Sequence, residues 1–202
     1  TITVTPGTPE RADTALSVAS ALAGSSVEVA CAIYDSFDNL LGAEDLVAEG
    51  GELSLEKDSS ITQVSVDGVK VTVHGTTAGT YNVACQYGTV VDSSPAALTV
   101  LPGNPYRTET TLSEETVRAT EAVGVTCSVF DAWNNALSGH DTSYQVVAED
   151  NSQPLQNGLV VNDASFSVAR SGDYYVFCQV AGFAAGDNSP AVAHVVAGLP
   201  FH

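Results

Sequence analysis

Four cysteines and two phrases of the form Asp-x-aromatic-x-Asn are the residues of this chain with chemistry in reach. Asp35-Ser-Phe37-Asp38-Asn39 returns as Asp131-Ala-Trp133-Asn134-Asn135, 96 positions later. Cys31 and Cys127 precede the two phrases at that same spacing, and Cys85 and Cys178 follow at separations of 54 and 51. Two chemistries suit cysteines, disulfide formation and zinc ligation. Zinc sites use Cys-x-x-Cys pairs and neighbouring histidines. No such pair occurs, and His74, His140, His194 and His202 do not repeat with the cysteines. Disulfides Cys31–Cys85 and Cys127–Cys178 are therefore expected, one in each copy of the repeat. Closing a loop of that length contributes on the order of 4 kcal/mol through chain entropy. Disulfides persist in an oxidising compartment: outside the cell, on its surface or in a periplasm.

The Asp and Asn positions have two readings. Short polar side chains cap tight turns by accepting bonds from backbone N–H groups; Asp35, Asn39, Asp131 and Asn135 are read this way. The alternative is calcium, held by oxygen ligands. Asp35, Asp38 and Asp131 are its first candidates, with Asn39, Glu44 and Asp45 near the first phrase and Asn134, Asn135 and Asp141 near the second. No EF-hand spacing is present. Asp92-Ser-Ser-Pro95 and Asp187-Asn-Ser-Pro190 also repeat; with Asn104 they could make an interdomain cation site, but turns ahead of a strand are the simpler reading. Phe37 and Trp133 sit at the tips of the phrases. Packing over the open end of a domain is the favoured account of both, and anchoring a ligand is the other. Tyr81 and Tyr174 are read as core residues whose hydroxyls bond nearby backbone.

These residues need elements to position them. Val27, Val29, Cys31 and Ile33 alternate with more polar neighbours, as do Tyr81, Val83 and Cys85. That period of two places both cysteines of a copy toward one core, across two packed sheets. In the first copy strands are expected near 14–18, 26–34, 45–49, 61–65, 68–74, 79–87 and 94–101. In the second they are expected near 108–113, 122–130, 143–149, 153–160, 164–169, 173–181 and 189–197. No segment carries a sustained helical period. The fold class is all-β, with two tandem sandwiches of about seven strands each: domain 1 over 1–102 and domain 2 over 103–202.

A third repeated element marks the ends of the copies. Val4-Thr-Pro6-Gly7-Thr-Pro9 matches Val100-Leu-Pro102-Gly103-Asn-Pro105 and then Val195-Val-Ala197-Gly198-Leu-Pro200. Three joints for two domains imply two links of a longer tandem array. A short proline-bearing joint is also stiffer than a Gly/Ser tether.

The net charge of −18 comes from 24 acidic and 6 basic residues. Its scatter over both halves reads as a solvated surface. Nucleic acid is disfavoured as a partner, since phosphate binding needs clustered Lys and Arg. No apolar run approaches the roughly 18 residues that cross a bilayer, so membrane insertion by this segment is not expected. No Gly-x-Ser-x-Gly, His-Glu-x-x-His or phosphate loop occurs, and no activity is assigned.

The cysteines on the second and sixth strands resemble the inter-sheet disulfide of immunoglobulin-like domains. The Asp-x-Phe/Trp-x-Asn phrase is similar to the Asp-x-x-Gly-Asn turn of bacterial immunoglobulin-like repeats of the invasin and intimin type; filamin repeats are similar too. Gly79-Thr-Tyr81-Asn-Val83-Ala-Cys85 and Gly172-Asp-Tyr174-Tyr-Val176-Phe-Cys178 resemble their penultimate strand. The turn glycine of that pattern is replaced by Asp38 and Asn134, which tolerate a left-handed backbone. The core tryptophan of antibody domains is missing. The resemblance implies two tandem immunoglobulin-like sandwiches in a non-enzymatic structural or adhesion segment, a stalk or spacer of a larger bacterial surface or secreted protein. A module that binds a ligand or another cell-surface protein, and calcium-rigidified adhesin repeats, are the alternatives. Neighbouring repeats of the same protein are the expected partners.

Overall fold

The computed structural model describes residues 5–149, 158–183 and 186–198, with 186–189 described by backbone alone. The chain divides into two compact units, Thr1–Gly103 and Asn104–His202. Each is a two-layer β-sandwich.

Unit 1 runs β1 (Pro9–Leu16), β2 (Ser20–Leu22), β3 (Ser26–Asp35), α1 (Ala43–Glu49), β4 (Leu53–Lys57), β5 (Ile61–Asp67), β6 (Lys70–Gly75), β7 (Gly79–Tyr87), β8 (Val90–Val91) and β9 (Ala96–Leu101). One sheet has the order β1-β3-β6-β5, the other β2-β9-β7-β4, with β8 paired to β7. The first strand of the sandwich is divided between the layers. β1 pairs antiparallel with β3, the chain then crosses at Ser17–Ala19, and β2 pairs parallel with β9. Alternation dictates the core: Val27, Val29, Cys31, Ile33 and Asp35 of β3 are buried, and the residues between them face outward. Val71 and Val73 of β6, Val83 and Cys85 of β7, and Leu98 and Val100 of β9 close over them.

Unit 2 runs β10 (Arg107–Leu112), β11 (Thr116–Arg118), β12 (Val123–Phe130), β13 (Ala136–Leu137), β14 (Thr142–Ala148), β15 (Val160–Asn162), β16 (Ser165–Ser167), β17 (Gly172–Val180), β18 (Gly186–Ser189) and β19 (Ala191–Val196). Its sheets are β15-β16-β12-β10-β18, with β13 on β12, and β11-β19-β17-β14. The strand crossing of unit 1 recurs, since β11 pairs parallel with β19. Phe166, Tyr174, Val176 and Ala193 are the centre of its core.

A disulfide joins the layers in each unit, Cys31–Cys85 from β3 to β7 and Cys127–Cys178 from β12 to β17, both with a Cα separation of 5.6 Å. A threonine braces each one. Thr14 Oγ1 accepts from the Cys85 N–H at 2.8 Å, and Thr110 Oγ1 accepts from the Cys178 N–H at 3.0 Å. The tyrosine four residues before the second cysteine also acts alike in both units. Tyr81 donates to the Thr77 carbonyl and Tyr174 to the Arg170 carbonyl, each at 2.9 Å.

One expected strand is a helix. Residues 45–49 lie in α1, over Ala43–Glu49. The Asp45 carboxylate accepts from the Gly42 N–H at 2.9 Å, Glu44 and Asp45 place negative charge in the first turn, and Gly50 closes the helix at φ 74°. Capping at both ends outweighs the brief apolar run Leu46-Val47 that suggested a strand. The strand here is β4, just beyond the helix. β1 begins at Pro9 and not near 14, and the short strands β2 and β11 were not foreseen. Most of the strand expected over 153–160 lies outside the described residues.

Candidate functional site

The repeated phrase is a hydrogen-bonded turn at the end of β3 and again at the end of β12. Period-two alternation carries Asp35 to a buried position, 3% exposed, at the last residue of β3. Its Oδ1 accepts from the backbone N–H of Phe37 and of Asn39, both at 2.9 Å. Its Oδ2 accepts from the Asn39 side-chain amide at 2.9 Å and from the Gly7 N–H at 2.7 Å. The Asp35 N–H donates back to the Asn39 carbonyl, and the Asp38 N–H to the Asp35 carbonyl, both at 3.1 Å. Asp38 takes the left-handed conformation at φ 61°. The carboxylate is held well below its ordinary pKa, first by the Gly7 N–H and then by the Asn39 amide.

The second turn repeats this geometry. Asp131 Oδ1 accepts from the N–H groups of Trp133 and Asn135 at 2.8 Å, and Oδ2 from the Asn135 amide at 2.7 Å. Asn134 has φ 66°. Asp131 and Asn135 are buried.

Beside each turn stands a residue pair that the sequence reading missed. The Arg11 guanidinium lies 4.1 Å from the Tyr34 ring centroid, pairs with Asp13, and reaches Asp38 Oδ1 at 3.0 Å. Arg107 lies 4.2 Å from the Phe130 ring centroid, pairs with Glu109, and donates to Asn134 Oδ1 through Nε and Nη2 at 3.1 and 3.0 Å. Each arginine thus clamps the left-handed residue of its turn from above an aromatic face. The signal was in the repeat. Arg11 and Arg107, Asp13 and Glu109, and Tyr34 and Phe130 keep the spacing of the turn itself.

The calcium candidates therefore have other partners. Both oxygens of Asp35 and both of Asp131 face N–H donors. Asp38 faces Arg11, and Asp45 caps α1. Among the described residues no group of three or more His, Cys, Asp or Glu side chains is placed to hold a metal ion. Asp92 is buried and its Oδ1 accepts from the Ser94 N–H at 2.8 Å, which is turn capping; the side chain of Asp187 lies outside the described residues.

The two aromatic tips differ from each other. Phe37 is 83% exposed, so its ring does not pack over the end of its sandwich, whereas Trp133, at 46%, is about half covered. The carboxylate fixes the turn backbone and leaves the third side chain to project from the tip. Of the histidines, His194 Nδ1 lies 2.7 Å from Asp173 Oδ1 on the surface, and His140 meets the Phe183 ring edge-on at 6.0 Å.

A cleft of about 510 Å³ opens in unit 1, lined by Glu56, Asp58, Thr80, Asn82, Asp92 and Pro95 among others. It lies where β4 ends at Lys57, opposite Val83; in unit 2 the corresponding strand β14 continues to Ala148, opposite Tyr174.

The two-layer order, the divided first strand and the inter-sheet disulfide can now be set beside known proteins. The structure of the Escherichia coli adhesin FdeC matches over 97% of this chain and 67% of its own, at 18% identity and TM-score 0.56. Invasin, a bacterial integrin-binding protein, matches over 92% of this chain at 11% identity and TM-score 0.52. The fold is the immunoglobulin-like β-sandwich of these two structures. The chain spans only 40% of the invasin structure. No protein-family model and no curated protein sequence matches the chain.

Proposed function

We propose that these two immunoglobulin-like modules are a non-enzymatic spacer segment in a larger extracellular or surface-attached adhesion protein. One observation carries the reading: the polar residues that the duplication repeats are engaged in holding the fold. Asp35, Asn39, Asp131 and Asn135 bond within their turns, Arg11 and Arg107 clamp them, and the cysteines are paired. A duplication that preserves scaffold chemistry multiplies length. Two disulfides fit an oxidising compartment, and the short Pro-Gly joints suit modules repeated in series.

The test is replacement. In the surface protein that carries the segment, an unrelated sandwich pair of equal length takes the place of these residues, and adhesion to host cells is scored. Retained adhesion is the expected result. Loss of adhesion despite normal surface display would reject the spacer reading. A second reading, recognition of a protein ligand by the modules themselves, is supported by the exposure of the unit 1 loop that bears Phe37.

A further inference from the structure

The duplication gives unit 1 an internal control, because unit 2 completes the same sandwich with different connections. Between the turn aspartate and the next long strand, unit 1 uses residues 36–52 and unit 2 uses residues 132–141, seven fewer. The fold does not require the additional residues. In unit 1 they build α1, and they are held firmly. Leu41 and Leu46 are buried, the Tyr87 hydroxyl donates to the Leu46 carbonyl, and the Gly51 N–H donates to that hydroxyl at 2.8 Å. Leu41 is also tied to β3 through its N–H and the Ile33 carbonyl at 2.8 Å.

This anchored connection turns apolar groups to water. Phe37 is 83% exposed, Val47 80% and Leu40 59%. An anchored segment that leaves three large apolar side chains in solvent has the character of an interaction surface. Its charge selects the partner. Residues 36–52 contain Glu44, Asp45, Glu49 and Glu52, besides the Asp38 that Arg11 pairs, and no Lys, Arg or His of their own. A second copy of this chain is a poor occupant, since its net charge of −18 opposes approach to the same surface.

We propose that the 36–52 connection of unit 1 docks a protein segment that presents apolar side chains bordered by lysine or arginine. The proposal stands apart from the spacer reading, because the docking segment includes α1, which has no counterpart in the shorter unit 2 connection.

The probe is a set of short synthetic peptides carrying Phe and Leu flanked by Lys and Arg, with a matched set bearing Glu in place of the basic residues. Both are immobilised and exposed to the complete two-unit chain. Binding to the basic set, weakened by salt, is expected. Phe37→Ser and Val47→Ser, both at exposed positions, should each weaken it roughly tenfold. Replacing residues 36–52 by the shorter unit 2 connection should abolish it. No binding to the basic set, equal binding to the acidic set, or binding unchanged in the variants would overturn the proposal. So would self-association of the free chain in sedimentation that Phe37→Ser removes, which would assign the surface to a second copy.

Discussion

A buried carboxylate that accepts only N–H donors is a pH-dependent brace. Asp35 has its pKa lowered in the folded chain, chiefly by Gly7 and Asn39. The unfolded side chain titrates near about 3.9. Its contribution is therefore complete above that value and is lost as the pH falls through the lower folded value. Asp58, held low by the Ser60 N–H, adds to the same limb. The expected outcome is a urea midpoint that drops on acidification below about pH 4. Asp35→Asn should be less stable than the parent at neutral pH, and the gap should close in acid, because the protonated aspartate and the amide then offer the turn similar chemistry. An equal gap at both pH values would show that Asp35 does not titrate against these donors. At this scale the sequence was informative where residues repeat with their neighbours: spacing alone marked the turn pairs and the cysteine pairs. It was less so where a contact joins residues from different strands. Arg11 repeats with Arg107, yet nothing in a linear phrase reveals that a guanidinium from β1 crosses to the turn after β3.

At the scale of elements, α1 is where sequence periodicity failed, and its two closing glycines separate the physical reasons for the structure. Gly50 sits at φ 74° with open space where a Cβ would be. Gly50→Ala should cost about 1 kcal/mol, all of it backbone conformation. Gly51 has the opposite problem, since a Cβ there would lie 2.5 Å from the Tyr87 ring. Gly51→Ala should cost more, because it displaces the hydroxyl that ties α1 to β7. Urea denaturation of both variants measures the difference; equal costs would contradict the Tyr87 anchor. The long strands β3, β7, β12 and β17 were legible because each is eight or more residues long and alternation runs through most of it. β4 and α1 were not. Each is short, and tertiary anchoring by Leu46 and Tyr87 decides between helix and strand where seven residues of local preference cannot.

For the molecule as a whole, the disulfides set stability in each unit separately, as each closes a loop within its own unit. Replacing Cys31 and Cys85 together by Ala should lower the stability of unit 1 by about 2–4 kcal/mol. The denaturant midpoint under non-reducing conditions records it, and the parent should approach the variant when reductant is added. A midpoint unmoved by either treatment would show that the loop contributes nothing to the fold. The overall architecture was open to sequence reading because it was written twice: positions that agree between copies mark the scaffold. Where the copies disagree, as over 40–52, the comparison isolates what the scaffold leaves free.

The divided first strand has a mechanical meaning. β9, the last strand of unit 1, runs parallel beside β2, while β1, the first, runs antiparallel beside β3. Tension drawn through the ends of the unit is met first by β1 against β3 and by β9 against β2 and β7. Should they yield, the Cys31–Cys85 bridge still bypasses its loop of 54 residues. About 190 Å of chain, at roughly 3.5 Å per residue, then cannot be released. Under tension unit 1 has a built-in stop: it can lengthen only by the residues outside the bridge.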